Sequence, residues 1–102
     1  MTRGAYARAA GVHPETVRFY ERSGLLPPPR RGRKGERLYG EEEVRDLRVI
    51  TRLRSLGFSI DEILKLRAMS AGKPDGELER RVREMEQRQQ ELRALLGGDG
   101  ER

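Results

Sequence analysis

Positions 27–29 are three consecutive prolines, preceded by Gly24, Leu25 and Leu26. Proline lacks a backbone N–H, holds φ near −65°, and pushes the residue before it out of the helical region. The helical-looking segment TVRFYERS therefore has to stop, with Gly24 closing it in a left-handed turn. The chain must then start a new element by way of an extended path.

The same kind of punctuation divides the rest of the chain. Thr2 is placed to cap a first helix through Ala10, and Gly11 ends it. Pro14 suits the first turn of a second helix, where a missing N–H breaks no bond. Helix, glycine-containing turn, helix is a helix-turn-helix pattern. Residues 30–39, with Gly32 and Gly35, fit a two-stranded hairpin with a basic tip. Glu41–Leu56 forms the next helix, its acidic start suited to the positive helix end. Val44, Leu47, Ile50, Leu53 and Leu56 make its apolar side. Ser59 and Glu62 form a capping box that opens a fourth helix to about Met69.

In the last helix Leu78, Val82, Met85, Gln89, Leu92 and Leu96 follow the alternating four-and-three spacing of a coiled-coil seam. Its flanks are polar, so self-association is preferred over packing back on the same chain. The expected fold is mainly α: a winged helix-turn-helix domain over 1–69, a linker at 70–76, a coiled-coil dimerisation helix over 77–96 and a flexible tail at 97–102.

Charge locates the function. The net charge is +5, with 13 Lys/Arg against 7 Asp/Glu in residues 1–57 and 9 against 10 thereafter. The basic half is where a polyanion would be met. There is no cysteine, which excludes disulfides and thiolate chemistry. The one histidine, His13, lacks an evident catalytic partner and is expected to face a groove or cap a helix. An enzyme, a metal site and a cofactor are not expected. No apolar run is long enough for a membrane span, so a soluble cytoplasmic protein is the expectation.

Arg18 and Arg22 share one helix face, and Tyr20 can offer its hydroxyl to a phosphate. Arg31-Gly32-Arg33 is the small-flanked arginine pair that narrow minor grooves attract. A helix-turn-helix followed by a basic hairpin is a winged-helix arrangement, with double-stranded DNA as partner.

The stretches GVHPETVRFYERSGLLPPPRR, GERLYGEEEV and LRSLGFSIDEI resemble the DNA-binding domain of the MerR family of transcriptional regulators. The likeness covers residues 1 to about 69, and the helix that follows is similar to the family's antiparallel dimerisation helix. It implies DNA contacts from Thr16, Arg18 and Tyr20 on the recognition helix, from Arg31 and Arg37 on the wing with Tyr39 at its base, and from Arg54. It also implies a homodimer on a two-fold symmetric promoter site, acting with RNA polymerase by distorting the DNA.

The departures are specific. Glu36 stands where the family pattern has an aromatic residue, and it must turn away or pair with Arg33 or Lys34. Glu15 either reads a cytosine amino group or favours the helix N-terminus. Arg3 replaces an aliphatic residue. The cysteines of the metal-responsive branch are missing, so no effector is indicated, although Tyr6 or Met69 could line a small-molecule pocket. An architectural DNA-bending protein is the alternative, and a coiled-coil adaptor the reading of a different class.

Overall fold

The computed structural model describes residues 1–69 and 76–100, with side chains through Gly97. Its elements are α1 (Arg3–Ala10), α2 (Pro14–Ser23), β1 (Arg30–Arg31), β2 (Arg37–Leu38), α3 (Glu41–Ser55), α4 (Ile60–Met69) and α5 (Gly76–Gly100). The expected linker lies outside the described residues except for Gly76, which starts α5. Residues 101–102 lie outside as well.

Local chemistry sets the boundaries. The Thr2 hydroxyl accepts from Ala5 N at 3.1 Å, and His13 Nδ1 caps α2 by accepting from Glu15 N at 3.3 Å. Gly24 takes φ 87°, which lets Leu25 and Leu26 both donate to the Tyr20 carbonyl and turn inward. The box at α4 forms in both directions: Ser59 N donates to Glu62 and Glu62 N to Ser59 Oγ.

Helix α3 is the hub. It carries α1 on one side, α4 on another and α5 along its length, and Leu47, Ile50 and Leu53 are fully buried in it. Each such side chain contributes about 1.5–3 kcal/mol when taken out of water. Asp46 of α3 is buried too, and its carboxylate receives both terminal nitrogens of Arg67 from α4, Nη2 at 2.9 Å. This bidentate pair locks α4 across α3.

Helix α5 adds two features to the sequence expectations. The tail expected from 97 is helical through Gly100; adding residues to a long helix gains one hydrogen bond each, which offsets the low helix propensity of glycine. The seam is also divided. Val82 is fully buried, and Leu78 and Met85 pack on the chain's own core. Leu92, Leu95 and Leu96 are 61%, 72% and 77% exposed, and Gln89 between them is half-buried.

The division has a physical cause. Arg45 and Arg52 lie two turns apart on α3 and bind Glu79 and Glu86, which lie two turns apart on α5. Arg45 Nε reaches Glu79 at 2.9 Å, and Arg52 reaches Glu86 at 2.9 and 2.7 Å. Val82 is clamped between these pairs, whereas among the described residues no ion pair joins α5 to α3 beyond Glu86.

Candidate nucleic-acid interface

Helix α2 separates cleanly into two faces. Val17 and Tyr20 are buried, while Glu15, Arg18, Phe19 and Arg22 are exposed. Those four positions are spaced three, four and seven from the first, which is one face of a helix. An open face with two guanidinium groups flanking an aromatic ring can hydrogen-bond base edges or phosphates and touch thymine methyls. Phe19, 45% exposed, is a candidate the charge argument missed; the signal was a large apolar residue out of step with the buried period.

The other residues expected on this helix lie elsewhere. Thr16 is half-buried. Tyr20 is 7% exposed, because it follows Val17 by three residues and so joins the inward stripe.

The wing is short. Arg30 pairs with Leu38 and Arg31 with Arg37 in antiparallel register. Its tip is closed by Gly32 N donating to the Glu36 carbonyl at 2.8 Å and by Gly35 at φ 81°. The Glu36 carboxylate folds inward and accepts from Lys34 N at 3.0 Å. A Cβ at position 32 would sit 2.1 Å from it, so a side chain there would displace the flexible end of Glu36 from this position. Glu36 thus turns away, tied to the Lys34 backbone, and the tip presents Arg33 and Lys34 to solvent. Arg31 donates to the Gly35 carbonyl at 2.9 Å, and Arg37 is exposed.

At the wing's base Tyr39 is buried and stacks on Tyr6 of α1, centroids 4.1 Å apart. Its hydroxyl donates to Glu21 of α2 at 3.0 Å, so it braces the wing and is not turned to a groove. Tyr6 donates to the Glu43 carbonyl at 3.2 Å. Burial pushes both phenols above their ordinary pKa, helped for Tyr6 by the Asp46 charge and for Tyr39 by its bond to Glu21. Tyr6 is buried in the core, whereas Met69 is 83% exposed.

Arg54 is exposed and donates to the Phe58 carbonyl at 3.0 Å, closing the α3–α4 turn with part of its guanidinium. Arg18, Arg22, Arg33, Lys34 and Arg37 have no carboxylate partner among the described residues. A cleft of about 460 Å³ lined by Arg8, Arg45, Arg48 and Arg52 is different. Arg45 and Arg52 are held by glutamates there, and Arg48 by the Ala9 carbonyl at 2.8 Å. Among the described residues no cluster of three or more His, Asp or Glu could hold a metal ion, and no helix is long and apolar enough to cross a membrane.

Comparison with known proteins gives two family matches: "MerR HTH family regulatory protein" over residues 1–69 and "MerR, DNA binding" over residues 44–97. The mercuric resistance operon regulatory protein of Serratia marcescens is 46% identical over 72 residues, which cover 71% of this chain and 50% of that protein. The chain thus spans about half the length of the mercuric regulators it matches. Among solved structures, the transcription regulator PbrR691 from Ralstonia metallidurans CH34 in complex with lead(II) is 34% identical, with TM-score 0.64, covering 93% of this chain and 79% of that one. HiNmlR, a regulator lacking the sensor domain and bound to promoter DNA, shares the fold at TM-score 0.63 and 24% identity, covering 95% and 76%.

Proposed function

This chain belongs to the MerR family of helix-turn-helix transcriptional regulators, and from that premise we propose that it binds double-stranded promoter DNA as a homodimer. The observation that carries this reading is the set of unneutralised cations on the open face of α2 and on the wing. Phosphate contacts supply most of the affinity of such proteins, and they require cations not already paired within the fold. Arg18, Phe19 and Arg22 enter the major groove, while Arg31, Arg33 and Arg37 grip the flanking backbone. Thr16 and Tyr20 support the helix from beneath, Tyr39 braces the wing, and Arg54 adds a phosphate contact with its remaining donors.

The free end of α5 makes the second protomer's case. Leu92, Leu95 and Leu96 are apolar, contiguous and uncovered, and two such helices running antiparallel would cover them, with Gln89 fixing register. Leu78, Val82 and Met85 support the pairing helix by anchoring it to its own domain. At about 1.5 Å per residue, the 25-residue α5 is roughly 37 Å long, comparable with the ~34 Å between half-sites one helical turn apart. Two domains fixed at that separation read a two-fold symmetric site and bend or untwist DNA whose spacing does not match, which is how such a regulator presents a promoter to RNA polymerase in the cytoplasm.

Selection of bound fragments from random and genomic DNA, followed by footprinting, tests the reading. A two-fold symmetric site between promoter elements supports it. Binding without symmetry favours an architectural protein, and no binding at low salt defeats both. Leu92→Asp with Leu96→Asp is expected to give monomers by sedimentation without loss of melting temperature; a persisting dimer would place the interface elsewhere.

A further inference from the structure

Glu21 is an acid on the helix assigned to DNA, between Arg18 and Arg22. Its two oxygens are divided between two other elements. Oε1 receives Arg3 Nη2 of α1 at 3.1 Å, and Oε2 receives the Tyr39 hydroxyl of the wing base at 3.0 Å. The Glu21 and Arg3 side chains are only 15% and 16% exposed. A single, nearly enclosed carboxylate therefore joins α1, α2 and the wing.

We propose that Glu21 is a positioning residue for DNA binding, held by Arg3, and that it sets the direction of the wing relative to the recognition helix through the Tyr39 hydroxyl. The proposal rests on the reading that this chain binds DNA. Its first support is the weakness of the wing itself. Two paired residues on each strand cannot define a direction, since an isolated two-stranded hairpin is marginal in water. The direction must come from the base. There the Tyr6–Tyr39 stack fixes a plane, with rings inclined by 14°, but stacked rings can slide within it. The directional bond from Tyr39 to Glu21 removes that freedom. The tie of Arg30 to Glu43 at 3.5 Å is exposed on the arginine side and accordingly weak, and the bonds of Met1 N to the Tyr39 carbonyl at 3.2 Å and of Gly40 N to Glu43 at 2.9 Å hold backbone, not the Tyr39 ring.

The second support is the character of Arg3. Its Nε is buried without an acceptor, an unmade hydrogen bond that costs stability. A guanidinium kept there under that penalty has another use: it neutralises the one enclosed carboxylate on a helix that must approach phosphates. It also holds that carboxylate toward Tyr39.

The test is a double-mutant cycle on a duplex carrying the selected site, with melting temperature recorded for every variant. Arg33→Ala is expected to lower the affinity of the otherwise unaltered protein by about tenfold and its salt slope by about one. In a Tyr39→Phe background, which keeps the ring stack and loses only the hydroxyl, the same substitution should cost about twofold or less, because the wing no longer arrives in register. Arg3→Met should weaken binding in the original protein and have no further effect in a Glu21→Gln background. A role in stability alone would move the melting temperatures and leave the wing's contribution intact. An equal tenfold cost of Arg33→Ala in both backgrounds, with both variants folded, overturns the proposal. Absence of any binding by the unaltered protein at low salt overturns the DNA-binding reading, and the proposal with it.

Discussion

On α3, Arg45 and Arg52 are bound to glutamates of α5, Arg48 to the Ala9 carbonyl and Arg54 to the Phe58 carbonyl. On α2 and the wing, Arg18, Arg22, Arg33 and Arg37 have no carboxylate partner among the described residues. The two regions carry the same side chain in opposite employment. In the first, guanidinium forks cross-link helices; in the second, they wait for an anion from outside. A surplus of arginine therefore says that an anion is needed, and only the geometry says whether the fold has already supplied it. Two glutamates beside the second region are themselves occupied, Glu21 by Arg3 and Tyr39 and Glu36 by the turn of the wing, while Glu15 lies exposed on the open face of α2.

The sharpest contrast lies between Asp46 and Arg18. Asp46→Ala removes the carboxylate that receives both terminal nitrogens of Arg67, whose side chain is 11% exposed, and breaking a buried pair on one side costs about 3–5 kcal/mol. Urea unfolding of the variant is expected to show that loss, while Asp46→Leu with Arg67→Met recovers much of it by replacing both charges with apolar groups. If the single variant loses less than about 1 kcal/mol, well under that range, the Asp46–Arg67 pair does not lock α4 across α3.

Arg18→Ala should do the reverse. Arg18 is exposed and bound to no carboxylate, so folding stability is expected to change by less than about 0.5 kcal/mol. Affinity for the selected DNA site should fall by about 1–3 kcal/mol, roughly 5- to 150-fold. An affinity unchanged within error would remove α2 as the reading helix.

Much of the fold is legible in the sequence. Gly11, Gly24, Pro14 and the Ser59–Glu62 box mark helix ends because each satisfies or forbids particular backbone hydrogen bonds, which are local matters. The buried stripe of α3 follows from its period. The fates of the arginines were not legible, since Arg45 meets Glu79 and Arg52 meets Glu86 across 34 positions, and nothing local records such a pairing. The seam of α5 hides its division for a related reason: one heptad pattern has its first half facing α3 and its second half open. Glu21 gave a faint signal as an acid between Arg18 and Arg22. Its ties to Arg3 and Tyr39 needed the fold.

The smallest expected effect concerns what holds α5 against α3. Hydrogen bonds from Arg45 and Arg52 hold the Glu79 and Glu86 carboxyls below their ordinary value near 4.5, partly opposed by burial. A carboxylate whose folded pKa is depressed stabilises the fold fully above its unfolded value and loses that contribution as pH falls through the folded one. The clamps should therefore be intact at neutral pH and weaken only below about 4.5. Both pairs are partly open to solvent, so the effect is modest. Glu79→Gln with Glu86→Gln isolates it from the other carboxylates: its melting temperature should lie below that of the unaltered protein at pH 7, and the difference should shrink as both are taken toward pH 3. A difference that stays constant across that interval would mean that Val82 and its apolar neighbours dock α5 alone, and that Arg45 and Arg52 are no more committed than the arginines of the wing.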